Sequence, residues 1–223
     1  MIGIVVAVTG FNGTYIQPVL IGTKELPPVY HWHGFFAALW LLTFLMQSAL
    51  ISARRVTTHR RNGLIGAVAA FGVVATLPMV SFAEVQRVID AGGESVDNLV
   101  GPILDAITFG LLVIAGIATR RRPETHKRWL LLATILLLWV AWVRLRHYFP
   151  QFEYNFEVFA FVIGMAPIPI FWWIEWRGQR TVHPILLYGG LAVLAEQGLQ
   201  TVAYGSTLWS NTACWLYDVL AAA

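Results

Sequence analysis

Asp105 and Glu196 each interrupt a long apolar run, LVGPILDAITFGLLVIAGIA and LLYGGLAVLAEQGLQTVAY. An isolated charge in such surroundings costs several kcal/mol, so each carboxylate needs a partner, a proton or a ligand. Gln197 and Gln200 follow Glu196 with amide donors, and Arg144 ends a third apolar run with the opposite charge. These types point to an outward-opening polar pocket of Asp105, Arg144, Glu196 and Gln200, with the two acids as carboxylates, Arg144 as their counter-charge, and His33 and His147 as candidate ligands or proton carriers. A plain Asp105–Arg144 ion pair between neighbouring helices has equal weight, because buried pairs are often architectural. Glu196 is the better functional candidate, since its own run holds no basic residue.

Six histidines form two tiers: His31, His33 and His147 at one end of the apolar runs, and His59, His126 and His183 at the other. Neutral imidazoles from two helices can ligate a b-type haem, which makes His33 with His147, or His59 with His126, candidate cofactor ligands. Spacing speaks against the simplest version. His126 and His147 are separated by about 31 Å of helix, which leaves both at the membrane boundaries. The cofactor and any metal are left unassigned, with haem b as the candidate. His59-Arg60-Arg61 and His126-Lys127-Arg128 also suit helix starts beside anionic headgroups, and lipid anchoring is the favoured reading there. Gln47 is placed to hydrogen-bond toward that tier.

The elements that must position these residues are membrane spans. The chain has 223 residues, 57% hydrophobic and 12% charged, with a mean hydropathy of +0.65. Soluble domains carry about 25% charged residues. Its apolar blocks are about twenty residues long, the length that crosses a bilayer. Seven are expected, over roughly 2–21, 33–53, 63–82, 99–118, 127–143, 156–176 and 182–204, with a polar link from Glu84 to Asn98. The first holds Gly10, Asn12, Gly13, Gln17 and Pro18, so a kinked or partly interfacial course is expected there. Pro167 and Pro169 break the sixth. The fold class is therefore all-α: a polytopic transmembrane bundle over 1–204, with an interfacial, periplasmic-side tail over 205–223 carrying Trp209, Trp215 and Tyr217. Most other tryptophans fall near span ends, as interfacial belts require, while Trp40, Trp139 and Trp142 are deeper.

Orientation follows from the basic residues. Arg54, Arg55, Arg60, Arg61, Arg120, Arg121, Arg122, Lys127, Arg128, Arg177 and Arg180 collect on one side, and most acids on the other. The first side is the cytoplasmic one, which puts the N-terminus in and the C-terminus out of a bacterial inner membrane. Met1 runs into apolar residues without a basic n-region, so no cleaved leader is expected. The net charge of +3 belongs to these links, and nucleic acid is not an expected partner. One cysteine, Cys214, excludes an internal disulfide. Hydrolase, zincin and phosphate-loop motifs are lacking, and a seventh span without lysine excludes a retinal Schiff base.

The segments His31-Trp32-His33-Gly34, His59-Arg60-Arg61-Asn62-Gly63 and His126-Lys127-Arg128-Trp129-Leu130, with Trp40, Gln47 and Arg144, resemble a group of uncharacterised bacterial multi-pass membrane proteins. That group carries H-x-H-G, H-R-x-x-G and H-K-R signatures and is more distantly similar to membrane factors of haem-copper oxidase maturation. Trp129-Leu130 departs mildly from the usual Leu-Met. The resemblance covers about residues 1–148 and implies a place in bioenergetic membranes, without a catalytic residue to carry over.

The leading expectation is a non-catalytic accessory or assembly subunit of a bioenergetic membrane complex, binding lipid, quinone or pigment, with the bilayer and other membrane subunits as partners. A b-type haem electron-transfer protein and a small proton-coupled transporter using Asp105 and Glu196 are the alternatives.

Overall fold

The computed structural model describes residues 2–222, the side chain of Asn155 apart, and every regular element among them is helical. Seven helices are long and apolar enough to cross a membrane: α1 (Ile2–Leu20), α2 (Pro28–Ser52), α3 (Val56–Asp90), α4 (Asp97–Ala118), α5 (Pro123–Tyr148), α6 (Val158–Gln179) and α7 (Pro184–Ala203). A shorter helix, α8 (Thr207–Ala221), follows. The molecule is an all-α polytopic helix bundle.

One element differs from the sequence reading. Helix α3 continues to Asp90, so much of the expected polar link is helical. Its 35 residues reach about 52 Å, well beyond a hydrocarbon core of about 30 Å. Glu84 and Arg87, paired at 2.5 Å one turn apart, support this extension. Helix α1, where a kinked or partly interfacial course was expected, is long and apolar enough to span and carries a π-helical turn over Asn12–Ile16. A second π-turn, Val158–Ile163, opens α6 before the helix restarts at Pro167.

Helix α5 is the hub. Leu132, Ala133, Ile135 and Leu136 are buried in one core with Trp40 of α2, Val73 of α3, Phe109 of α4, Ile168 of α6 and Val193 of α7. Lipid tails are as apolar as these side chains, so close packing and interhelical hydrogen bonds hold the helices together. Indole N–H groups supply several such bonds: Trp40 to the Thr134 hydroxyl at 3.1 Å, Trp139 to the Ala160 carbonyl at 3.0 Å and Trp172 to the Leu186 carbonyl at 2.7 Å. Small residues allow the closest approaches. A Cβ at Gly10 would overlap the Ala141 carbonyl, and one at Gly72 would enter the Phe36 ring. Gly3 lies by Leu138, Gly10 by Ala141 and Thr14 by Arg144, so α1 and α5 run parallel.

The end of the bundle with the basic links is tied by a charge network. Arg128, 3% exposed, donates to Glu175 of α6 at 2.7 Å and to Glu124 at 2.7 Å. Glu175 also accepts the His183 backbone N–H at 2.9 Å, and the His183 ring accepts from the Ile185 N–H at 3.2 Å to cap α7. At the opposite end, α8 starts on a Ser206 cap and docks Trp209 and Ala213 on Val100. The Trp209 indole donates to the Asp97 carbonyl at 2.9 Å, whereas Trp215 is exposed. The tail thus leans on the bundle as well as presenting an aromatic face.

Candidate functional site

On α7, Glu196 and Gln200 are one turn apart, and Gln197 points into the bundle, 2% exposed. On α4, Asp105 and Thr108 share a face at i, i+3. The two helices bring these groups together. The Gln197 amide donates to Asp105 at 2.7 Å and to Glu196 at 2.9 Å. The Gln200 amide donates to Asp105 at 3.1 Å and, by a shorter bond, to Glu196. Thr108 donates weakly to Glu196 at 3.4 Å. Both amide NH2 groups are thereby spent. Two carboxylates are held side by side with acceptors in excess and no cation among these partners. What the cluster lacks is a donor: a hydroxyl, an amine or a proton.

Arg144 does not supply it. Its guanidinium bonds the Thr14 hydroxyl at 3.2 Å and lies 4.6 Å from the Phe11 ring, on the α1 side of α5. The sequence gives Arg144 a depth along the membrane normal, but the side of α5 it faces is set by packing. Thr108 is the member that the sequence reading missed, and Gln197, noted there beside Glu196, is the bridging donor. A lone hydroxyl one turn from Asp105 was the available signal for Thr108.

A groove of about 410 Å³ between α4, α5 and α7 leads to this cluster. Leu112, Trp129 and Val193 form its apolar wall, and Thr108 and Glu196 close one end. Tyr188, largely exposed, flanks the other. Gly189 lets α7 pack closely on α5 beside the groove, because a Cβ there would come within 2.7 Å of Leu132 and 3.0 Å of Trp129. Trp129 and Tyr188 lie in the second turns of α5 and α7, so the groove lies between the carboxylates and the basic-link end. The pocket was expected to open outward, whereas this groove extends from the carboxylates toward the basic-link end.

The histidines separate. His33 Nδ1 meets the Thr76 hydroxyl at 3.0 Å. That hydroxyl donates to the Gly72 carbonyl at 2.6 Å, so the ring nitrogen is the donor to it. His147 instead lines a cleft between α1 and α5, which keeps it apart from His33 as a ligand pair. His59 and His126 do come together. Each is the fourth residue of its helix, and their ring centroids are 6.5 Å apart with planes at 85°. His126 Nδ1 lies 2.7 Å from the Gly116 carbonyl, which can only accept. In the neutral tautomer that this bond selects, Nε2 carries the lone pair. Beside this pair, His59 Nδ1 and both amide atoms of Gln47 are buried without hydrogen-bond partners. Among the described residues no group of three or more His, Cys, Asp or Glu is arranged to hold a metal ion.

No protein-family model, curated protein or solved structure matches this chain.

Proposed function

We propose that this chain is an integral-membrane accessory or assembly subunit of a bioenergetic complex, and that it holds a quinone-like or lipid amphiphile. The observation that carries this reading is the groove between α4, α5 and α7, apolar along its wall and ending at Glu196 and Thr108. Sites for amphiphiles are mostly apolar with a few convergent polar groups. A headgroup hydroxyl would supply the donor that Asp105 and Glu196 lack, while the tail follows Trp129 and Tyr188. The accessory role and other membrane subunits as partners are proposed from the resemblance of residues 1–148 to uncharacterised bacterial multi-pass membrane proteins, which implies a loose link to bioenergetic membranes. The basic links support a bacterial inner membrane with the N-terminus in the cytoplasm.

The test is the organic extract of the chain purified in mild detergent, compared with its Ala192→Trp variant. Ala192 lines the groove and is exposed, so the indole fills the groove without entering the core. A quinone or lipid enriched in the wild type and lost in Ala192→Trp is expected. Identical extracts from both, matching an unrelated seven-span protein, would sink the reading.

A second reading, b-type haem held by His59 and His126, is favoured by their separation. If haem were present, His59 and His126, with ring centroids 6.5 Å apart, would be the residues to hold its iron, which would supply electron transfer. His126, fixed through Nδ1 on a backbone carbonyl, has the orientation that ligating imidazoles usually receive.

A further inference from the structure

The cleft on the other side of α5 is a separate feature. Where Gly10 lies against Ala141 the backbones of α1 and α5 nearly touch. Just beyond that contact α1 takes its π-helical turn, Asn12–Ile16, and the helices part around a cavity of about 360 Å³. Gly10, Gly13, Thr14, Arg144, His147 and Tyr148 line it. Single π-turns in α-helices are frequent at functional sites.

Arg144 is the group this cavity leaves unanswered. Its only polar partner among the described residues is the Thr14 hydroxyl, at 3.2 Å. Its Nε is buried with no hydrogen-bond partner. No carboxylate among the described residues forms a salt bridge with it; those bridges belong to Arg87, Lys127 and Arg128. Glu84, whose charge reaches Arg144 across space, is engaged by Arg87 at 2.5 Å and Tyr30 at 2.8 Å. Arg146 and His147 add further basic groups from the same turn. A half-buried guanidinium at the end of two spans, with five donors, a buried Nε and one weak acceptor, lacks an anion.

We propose that Arg144, Thr14 and His147 form a binding site for a phosphate group. Arg144 presents its guanidinium fork to the oxygens, which such a fork matches in bidentate fashion. Thr14, accepting from Arg144, keeps its own O–H to donate, and His147 closes the site. Gly13 provides the room: a Cβ there meets nothing nearer than the Tyr148 hydroxyl at 3.8 Å. The Tyr148 hydroxyl itself is committed to the Thr9 carbonyl at 3.0 Å and holds α1 at the rim. The same chemistry is offered by an anionic lipid headgroup at the membrane boundary and by a free phosphate.

The full chain in nanodiscs tests this, with phosphatidylcholine alone, with added phosphatidylglycerol, or with inorganic phosphate. In the wild type, modification of Arg144 by an arginine-selective dicarbonyl, read by peptide mass spectrometry, slows at least fivefold in the presence of the anion. Protection by phosphatidylglycerol alone assigns a lipid headgroup, and protection by inorganic phosphate as well assigns a free phosphate. Gly13→Leu, which fills the cavity and leaves Arg144 in place, abolishes the anion-dependent part of the protection. Absence of protection by either anion in the wild type overturns the proposal without any variant. So does full anion-dependent protection in a folded Gly13→Leu protein.

Discussion

The amide of Gln197 on α7 donates at 2.7 Å to Asp105, ninety-two residues earlier on α4, and the same nitrogen reaches Glu196. One buried side chain thus holds two carboxylates in register across two helices. Gln197→Leu keeps the bulk and removes the donor from both acceptors. A lost hydrogen bond to a charged group costs about 1.5–3 kcal/mol, so thermal unfolding in detergent is expected to shift down clearly. Asp105→Asn with Glu196→Gln retains carbonyl acceptors for Gln197 and Gln200 and is expected to unfold near the wild-type temperature. Equal losses in both variants would argue against the amide bridge as the holding element.

Arg128 and Glu175 make the opposite kind of pair, a buried cation answered by a partly buried anion at 2.5 Å. Glu175→Ala leaves the guanidinium with only the exposed Glu124, and removing one partner of a buried pair costs about 3–5 kcal/mol. Arg128→Met with Glu175→Leu replaces the pair by apolar bulk and is expected to be markedly less destabilised than Glu175→Ala alone. A double-mutant cycle on unfolding temperature reads the difference, and additive losses would contradict it.

The seven spans were legible because the bilayer dictates runs of about twenty apolar residues, whatever the neighbouring helices do. Helix ends were less so. Glu84 to Asp90 are polar, yet nothing stops a helix from continuing once it leaves the hydrocarbon, and Arg87 pairs back to Glu84. The approach of Asp105 and Glu196 is consistent with their similar expected depths. The error over Arg144 has the same root: sequence gives depth but not azimuth. Arg144 finds Thr14, 130 residues away, because α1 packs parallel to α5 through Gly10, and no periodicity announces that neighbour. His59 and His126 were expected on one tier at similar helix starts, and only packing could show their rings side by side.

That adjacency makes the haem reading testable by absorption. If the pair ligates haem, freshly isolated protein shows a Soret band that His59→Ala and His126→Ala each abolish. His33→Ala and His147→Ala leave the band unchanged, since His33 is engaged by Thr76 and His147 faces the Arg144 cavity. A band that survives both His59→Ala and His126→Ala, or no band under haem-replete expression, removes this assignment.

The His183 cap carries a pH dependence whose sign can be worked out. Its ring must keep a lone pair on Nδ1 to accept the Ile185 N–H, and burial, then the nearby Arg128 charge, hold its pKa below the ordinary value. Above a pH of about 6.5 the imidazole is neutral in both the folded and the unfolded chain, and the cap contributes fully. As pH falls below that, the unfolded chain takes up a proton that the folded chain resists, and stability declines. The decline levels off once pH passes the lowered folded value and both forms are protonated. His183→Asn keeps a capping oxygen and cannot titrate. Between pH of about 7.5 and about 5, the unfolding temperature of the wild type is therefore expected to drop further than that of His183→Asn. The subtraction removes the other histidines, which titrate in both proteins. Parallel curves for the two would show that the cap is not a titrating element and that α7 is held at this end by Glu175 alone.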